Sequence, residues 1–252
     1  MEIKISLCIP TKNRFDNFLT RYLDTYFEYL KQGLIDEIIV NDENGNDYDK
    51  IMNKYGDYII NNNNFRVYKN ENVLGVFKNK LKVCSYSSNN YIALIDSDNF
   101  ANNIYFTTVK EYIKHNASNL SESFILAPSY ARPHTGLDYT EFENKVITVE
   151  NIKQYCYNDR FLIALNTGNY IITKTIIDNI KYNSGIMNII TSCDVIYFNL
   201  LVFQQFPEFQ MHVVKDLEYL HIVHDDSEYL KTHHNCDNTL NNFIIPEYKK
   251  LR

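Results

Sequence analysis

Asp96 and Asp98 stand one residue apart where the apolar run of Tyr91 to Phe100, YIALIDSDNF, gives out. On an extended or turning backbone the two carboxylates point the same way, so their hard oxygens could share a divalent cation with a diphosphate. The same residue types also close many strands simply as turns. A third carboxylate, Asp194, heads the apolar stretch VIYFNLLVF behind Ser192 and Cys193. It could accept a proton as a general base, or satisfy free helix amides as an N-cap. His221 and His224 close another apolar run beside Asp225 and Asp226, and His224 could join a metal shell or sit in a turn. Arg14 and Lys80 could neutralise a diphosphate, or Arg14 could pair with surface acids and Lys78, Lys80 and Lys82 form a solvated helix face. His233, His234 and Cys236 supply too few ligands at useful spacing for a zinc site.

These residues need elements to position them. The segment IKISLCIP reads as a first strand stopped by Pro10, and Thr11, Lys12, Asn13 and Arg14 form a polar loop at its carboxyl end. Phe15, Phe18, Leu19, Tyr22, Leu23, Tyr26, Phe27 and Leu30 recur at helical spacing up to Gly33. A second strand, EIIVND, ends in Asn41, Asp42 and Glu43 before a weak helix from about Tyr48 to Tyr55. Phe65 to Lys69 reads as a third strand, and Asn72 and Gly75 precede a lysine-rich helix. Alternating strands and helices predict an α/β fold with a mostly parallel sheet, in which ligands bind beyond the carboxyl ends of the strands. Three polar clusters fall at such ends: Thr11 to Arg14, Asn41 to Glu43, and Asp96 to Asp98.

After Phe100 the alternation weakens. A helix from about Asn103 to His115, a strand ILAPSY, the polar stretch Arg132 to Glu143 and a strand near Val146 to Val149 predict a less regular half carrying substrate-specific loops. Asn166, Gly168 and Asn169 could line a pocket there or form a turn. Glu228 onward reads as a polar tail without periodicity.

With 252 residues and 45% apolar content, the chain can bury one substantial core. A net charge of -6 gives no general attraction to nucleic acid. No run approaches the ~20 apolar residues of a membrane helix, and no N-terminal signal is expected. The five cysteines are far apart with no CxxC pair, and are expected to be reduced thiols in a cytoplasmic protein.

Over roughly Ser6 to Ser227 the chain resembles the GT-A nucleotide-sugar glycosyltransferases, most closely glycosyltransferase family 2. Pro10, Thr11, Asn13 and Arg14 match that family's loop at the nucleotide. Asn41 and Asp42 occupy the places of two aspartates that hold the base, the first acid being an amide here. Asn72, Gly75 and Lys80 match the Asn-x-Gly segment with its basic helix, with one residue inserted and Leu81 where Asn is usual. IDSD matches the Asp-x-Asp (DXD) motif, which implies that Asp98 ligates Mn²⁺ or Mg²⁺ and that Asp96 contacts ribose or metal. Asp194 aligns with the catalytic base, and HDDS resembles His-x-x-Ser, which implies a metal contact from His224.

The resemblance implies a single Rossmann-like GT-A domain, with a nucleotide-sugar half over 1–100, an acceptor half over 101–227 and a tail over 228–252. It implies an inverting, metal-dependent enzyme moving a sugar from a nucleotide sugar, expected to be a UDP-sugar, to a glycan or other hydroxyl acceptor. Two alternatives stand beside it. A nucleotidyltransferase would carry a glycine-rich first loop, which PTKNR lacks. A non-catalytic nucleotide- or sugar-binding protein would keep the pocket without turnover.

Overall fold

Runs of apolar, β-branched and aromatic residues build the strands Ile5–Thr11 (β1), Glu37–Asp42 (β2), Phe65–Lys69 (β3), Tyr91–Leu94 (β4), Phe124–Arg132 (β5), Val146–Thr148 (β6), Ile171–Thr173 (β7) and Gln210–Leu220 (β8). The computed structural model describes residues 2–133, 137–155, 165, 168–186, 190–227, 230–232 and 238–251. Its eight strands form one sheet in the order β3-β2-β1-β4-β7-β5-β8-β6. The first four are mutually parallel, β7 runs antiparallel between β4 and β5, β8 is parallel to β5, and β6 closes the edge antiparallel. The expected alternation therefore holds for the first hundred residues, and the irregular second half supplies the mixed part of the sheet.

The helices are Thr20–Lys31 (α1), Asn46–Asn61 (α2), Val76–Ser85 (α3), Asn103–Asn116 (α4), Lys174–Asn179 (α5), Asp194–Gln205 (α6) and Ile245–Tyr248 (α7). Strand periodicity splits the core into two layers. Ile5, Leu7 and Ile9 of β1 pack with Leu23 and Tyr26 of α1 and Phe106 of α4, whereas Cys8 faces Ile39, Val83 and Cys84. The second layer continues into α6, whose residues from Ile196 to Phe203 are all buried, in keeping with a helix apolar on every side.

Three elements depart from the sequence expectation. α2 spans sixteen residues rather than Tyr48 to Tyr55, because the Asp42 carboxylate accepts from the backbone N–H of Asp47 (2.5 Å) and Tyr48 (2.7 Å) and so starts the helix earlier. The first helix opens with a π-helical turn over Phe15–Leu19, the N–H groups of Phe18 and Leu19 both reaching the Arg14 carbonyl at 3.0 and 2.9 Å. The segment read as a polar tail contributes core: Ile244 and Tyr248 are fully buried, and the Tyr248 hydroxyl donates to the Ile196 carbonyl at 3.1 Å. Three widely spaced apolar residues, Ile244, Tyr248 and Leu251, suffice to dock it, too few to register as periodicity.

Cys8 and Cys84 are free and buried, as expected. Cys193 is disulfide-bonded, which corrects the expectation of five reduced thiols. Sequence spacing carries no information about which cysteines a fold brings within bonding distance. Cys156, Cys236, His233 and His234 lie outside the described residues.

Candidate active site

β4 ends at Leu94, and the chain turns through Asp96, Ser97 and Asp98, with the Asn99 N–H donating back to the Asp96 carbonyl at 2.9 Å. Two contacts tie this turn to the end of β8. Phe100 and Leu220 exchange N–H···O bonds of 2.9 and 2.8 Å, and the buried Asn99 Oδ1 accepts from the Ile222 N–H at 3.0 Å. The chain after β8 is thereby laid beside the DSD turn, with His224 Nε2 3.1 Å from Asp98 Oδ2.

Arg14 Nε approaches the same oxygen at 3.6 Å, while its Nη2 donates to the Asp226 carbonyl at 3.0 Å. The His224 ring rests 4.7 Å from the Phe18 ring, and its backbone is closed by Ser227, whose Oγ accepts from the His224 N–H at 3.1 Å. This is why the fourth residue of HDDS is a hydroxyl: a short side chain that returns a hydrogen bond holds the turn that aims the imidazole. His221 lies edge-on to the Tyr219 ring at 5.9 Å. Of the two histidines, His224 is the one at the Asp98 carboxylate.

At Asp96, the first carboxylate of the turn, Lys80 joins two carboxylates. Its Nζ lies 3.2 Å from Asp96 Oδ1 and 3.0 Å from Asp194 Oδ2. Burial works against the ammonium, but Asp194 and then Asp96 outweigh it and hold the Lys80 pKa above the ordinary lysine value. Phe77, Leu81, Cys84, Leu94 and Phe198 line a narrow cavity behind the pair, so the ion pair is backed by apolar surface rather than water. Lys80 is thus turned inward from a helix that, read as sequence, could equally present three lysines to solvent.

Asp194 is the first residue of α6, and no side chain caps that helix. Its carboxylate goes to Lys80 rather than to the free amides of its own helix. Asp96 is fixed from below by Asn169, whose Oδ1 accepts the Asp96 N–H at 2.8 Å. Asn169 adopts a left-handed conformation, φ 55°, and its carbonyl accepts from the buried Tyr105 hydroxyl at 2.7 Å. The Asn169 of the Asn-Thr-Gly-Asn turn thus supports the site, and Asn166 lies outside the described residues.

The first loop is held by a residue that sequence reasoning passed over. Asp47, 1% exposed, accepts from Thr11 Oγ1 (2.6 Å), from the Arg14 N–H (3.0 Å) and from the Phe15 N–H (3.1 Å). One carboxylate therefore shapes the Pro10-to-Arg14 loop and sets the direction from which Arg14 reaches Asp98. The only signal was an acid in the first turn of a helix, which is ordinary helix chemistry.

Asn41 and Asp42 are both fully buried. Burial, opposed by the N–H groups of Tyr48 and Asn44, raises the Asp42 pKa, and its three backbone hydrogen bonds are those of a helix start. Asn41 Nδ2 donates to Asn70 Oδ1 at 3.1 Å within an amide cluster that includes Asn79. Glu43 accepts from the N–H groups of Leu74 (2.9 Å) and Gly75 (2.6 Å), which holds the turn before α3. Gly75 has φ +84°, so a side chain there would be strained. Asn72 and Gly75 are exposed in that turn, and Pro10 and Thr11 are buried beneath the first loop.

Among the described residues, no three His, Cys, Asp or Glu side chains form a ready cation cage. Asp98 and His224 offer two donors from one side, a set that suits a cation retaining positions for phosphate oxygens. The groups gathered here are a carboxylate–imidazole pair able to hold a cation, a guanidinium, and a buried carboxylate held by lysine.

The sequence matches the family described as Glycosyl transferase family 2 over residues 6–176, more than half of the chain. In fold the chain is similar to residues 1-349 of S. aureus TarS solved with UDP-GlcNAc, with a TM-score of 0.63 at 16% identity, covering 95% of this chain and 67% of that one. It spans 40% of a longer TarS structure, with a TM-score of 0.62 at 16% identity over 95% of this chain. It is also similar to glucosyl-3-phosphoglycerate synthase from Mycobacterium tuberculosis solved with Mn²⁺, UDP and phosphoglyceric acid, with a TM-score of 0.62 at 15% identity, covering 98% of this chain and 78% of that one. No curated protein matches the sequence.

Proposed function

The chain belongs to glycosyltransferase family 2, and from that premise we propose that it transfers a sugar from a UDP-sugar to an acceptor hydroxyl, with inversion and with Mn²⁺ or Mg²⁺. One observation carries the reading. The Asp98–His224 pair and the Lys80-held Asp194 are tied to one DSD turn, Asp98 directly and Asp194 through Lys80 and Asp96, so that a pair able to hold a cation and a carboxylate able to take a proton are gathered at the same strand end.

Asp98 and His224 are the residues that would hold the cation, completed by diphosphate oxygens. Such an ion supplies neutralisation of the charge that develops on the departing diphosphate. Arg14 adds a fixed positive charge beside Asp98, and Asp96 presents a carboxylate for a ribose or sugar hydroxyl. Asp194 accepts the proton of the acceptor hydroxyl as it attacks, and attack opposite the leaving group inverts the anomeric centre. Among the described residues no helix is long and apolar enough to cross a membrane.

Thermal unfolding with UDP, UDP-GlcNAc and UDP-glucose, with and without Mn²⁺, tests the donor site, since a ligand that binds only the folded state raises the melting temperature. A metal-dependent rise is expected, and UDP release in the same mixtures separates an enzyme from a binding protein. His224→Ala should weaken the Mn²⁺-dependent UDP affinity by about 10- to 100-fold, the scale of a supporting metal contact. His221→Ala should change it little. The reverse ranking would move the metal contact to His221.

A further inference from the structure

Resting on the proposed function, we infer that Lys80 is the positioning residue of the catalytic base: it takes Asp194 Oδ2, leaving Asp194 Oδ1 as the oxygen that receives the acceptor's proton. The starting point is a division of labour within one carboxylate. Asp194 Oδ2 is engaged by Lys80 at 3.0 Å, and α6 makes no capping bond through this side chain. A carboxylate at the first residue of a helix, unheld by its own backbone amides, has two χ angles to settle. The bond that restrains them comes from Lys80.

Lys80 can do this because it is itself restrained. Its second partner, Asp96 Oδ1 at 3.2 Å, belongs to the DSD turn, and that turn is pinned through Asn169 to the Asp96 N–H and through Asn99 to the end of β8. The side chain is only 14% exposed, and it shares the lining of an apolar cavity with Leu81 and Cys84. A lysine pairing loosely at a surface would supply no such geometry, since exposed ion pairs hold their partners weakly. Here the path Asp98–Ser97–Asp96–Lys80–Asp194 runs from the Asp98–His224 pair to the base through two peptide links and two short ion pairs.

The consequence is a separation of effects. A lysine that merely binds diphosphate loses donor affinity when removed. A lysine that orients the base leaves the donor bound and lowers the rate of the bound complex, because misplacement of a reacting group costs turnover rather than binding.

The experiment is a double-mutant cycle on Lys80→Met and Asp194→Asn, with Lys80→Arg as the conservative variant. It uses whichever UDP-sugar gives turnover with Mn²⁺, read as UDP release, together with UDP affinity by calorimetry. Lys80→Met is expected to lower kcat by about 10- to 100-fold with UDP affinity within threefold of the parent. Lys80→Arg should recover part of that loss, and in the Asp194→Asn background Lys80→Met should cost less than threefold.

A loss that falls on UDP affinity with kcat retained would make Lys80 a diphosphate contact and overturn the inference. Full additivity in the cycle would overturn it as well. If Lys80→Met leaves Asp96 and Asp194 repelling each other and does not fold, Lys80→Gln and the Lys80→Met/Asp194→Asn double variant, which removes one facing charge, supply the same comparison. Parent-like turnover of Asp194→Asn alone would instead refute Asp194 as base, and the absence of turnover by the parent with any donor would refute the proposed function. Each failure is therefore distinguishable from that of the lysine's role.

Discussion

Asp194→Asn is expected to lower sugar transfer by about 10²- to 10⁴-fold, the usual worth of a general base, while donor affinity stays within threefold of the parent. The amide keeps the size of the side chain and can still accept a hydrogen bond from Lys80, but it cannot take a proton from an acceptor hydroxyl. Stability should survive, because Lys80 keeps Asp96 as a partner at 3.2 Å and the helix loses only about 0.3–1 kcal/mol of charge–dipole interaction. Initial rates at saturating donor, with a melting curve as the folding control, check the outcome. Transfer at the parent rate would leave Asp194 as a structural acid and send the search for the base elsewhere.

Asp98→Ala should abolish the part of UDP binding that depends on Mn²⁺, so that affinities with and without the metal converge. The carboxylate is the shared partner of His224 at 3.1 Å and Arg14 at 3.6 Å, and it lies at a strand end where little packing is lost. Its removal takes away the carboxylate oxygen paired with His224, and an imidazole alone is a weak anchor for a hard cation. Metal-free UDP affinity should hold or improve slightly, since Arg14 loses its competing partner. Calorimetric titration with Mn²⁺ and with chelator reads both numbers. An undiminished manganese effect in the variant would place the cation away from the DSD turn.

The Asp96–Asp98 pair contrasts with the neighbouring Asn41–Asp42 pair. All are acids or amides at the ends of strands, and sequence alone treats them alike. Asp98 and Asp96 retain partial exposure and ionic partners, whereas Asp42 is fully buried on three backbone amides. Three backbone amides, of Asn44, Asp47 and Tyr48, engage the Asp42 carboxylate and tie it to the turn and first residues of α2.

What the sequence by itself determined about this protein is the set of parts. Apolar runs punctuated by Pro10, Gly33 and Gly75 marked the parallel half of the sheet, and the DSD and HDDS clusters were legible as strand-end chemistry because few residues separate the members of each. Tertiary structure decided what those parts face. His224 was brought to Asp98 by the way the chain after β8 is laid beside the DSD turn, and Asp194 was joined to Asp96 by a lysine far from Asp194 in the chain. Asp47 was given its role by a loop more than thirty residues earlier, and Ile244 and Tyr248 turned a polar tail into core. The physical reason is common to all four. Hydrophobic periodicity and turn chemistry are local and can be read along the chain, but an ion pair or a hydrogen bond between distant segments exists only once packing of the two core layers has brought their backbones together.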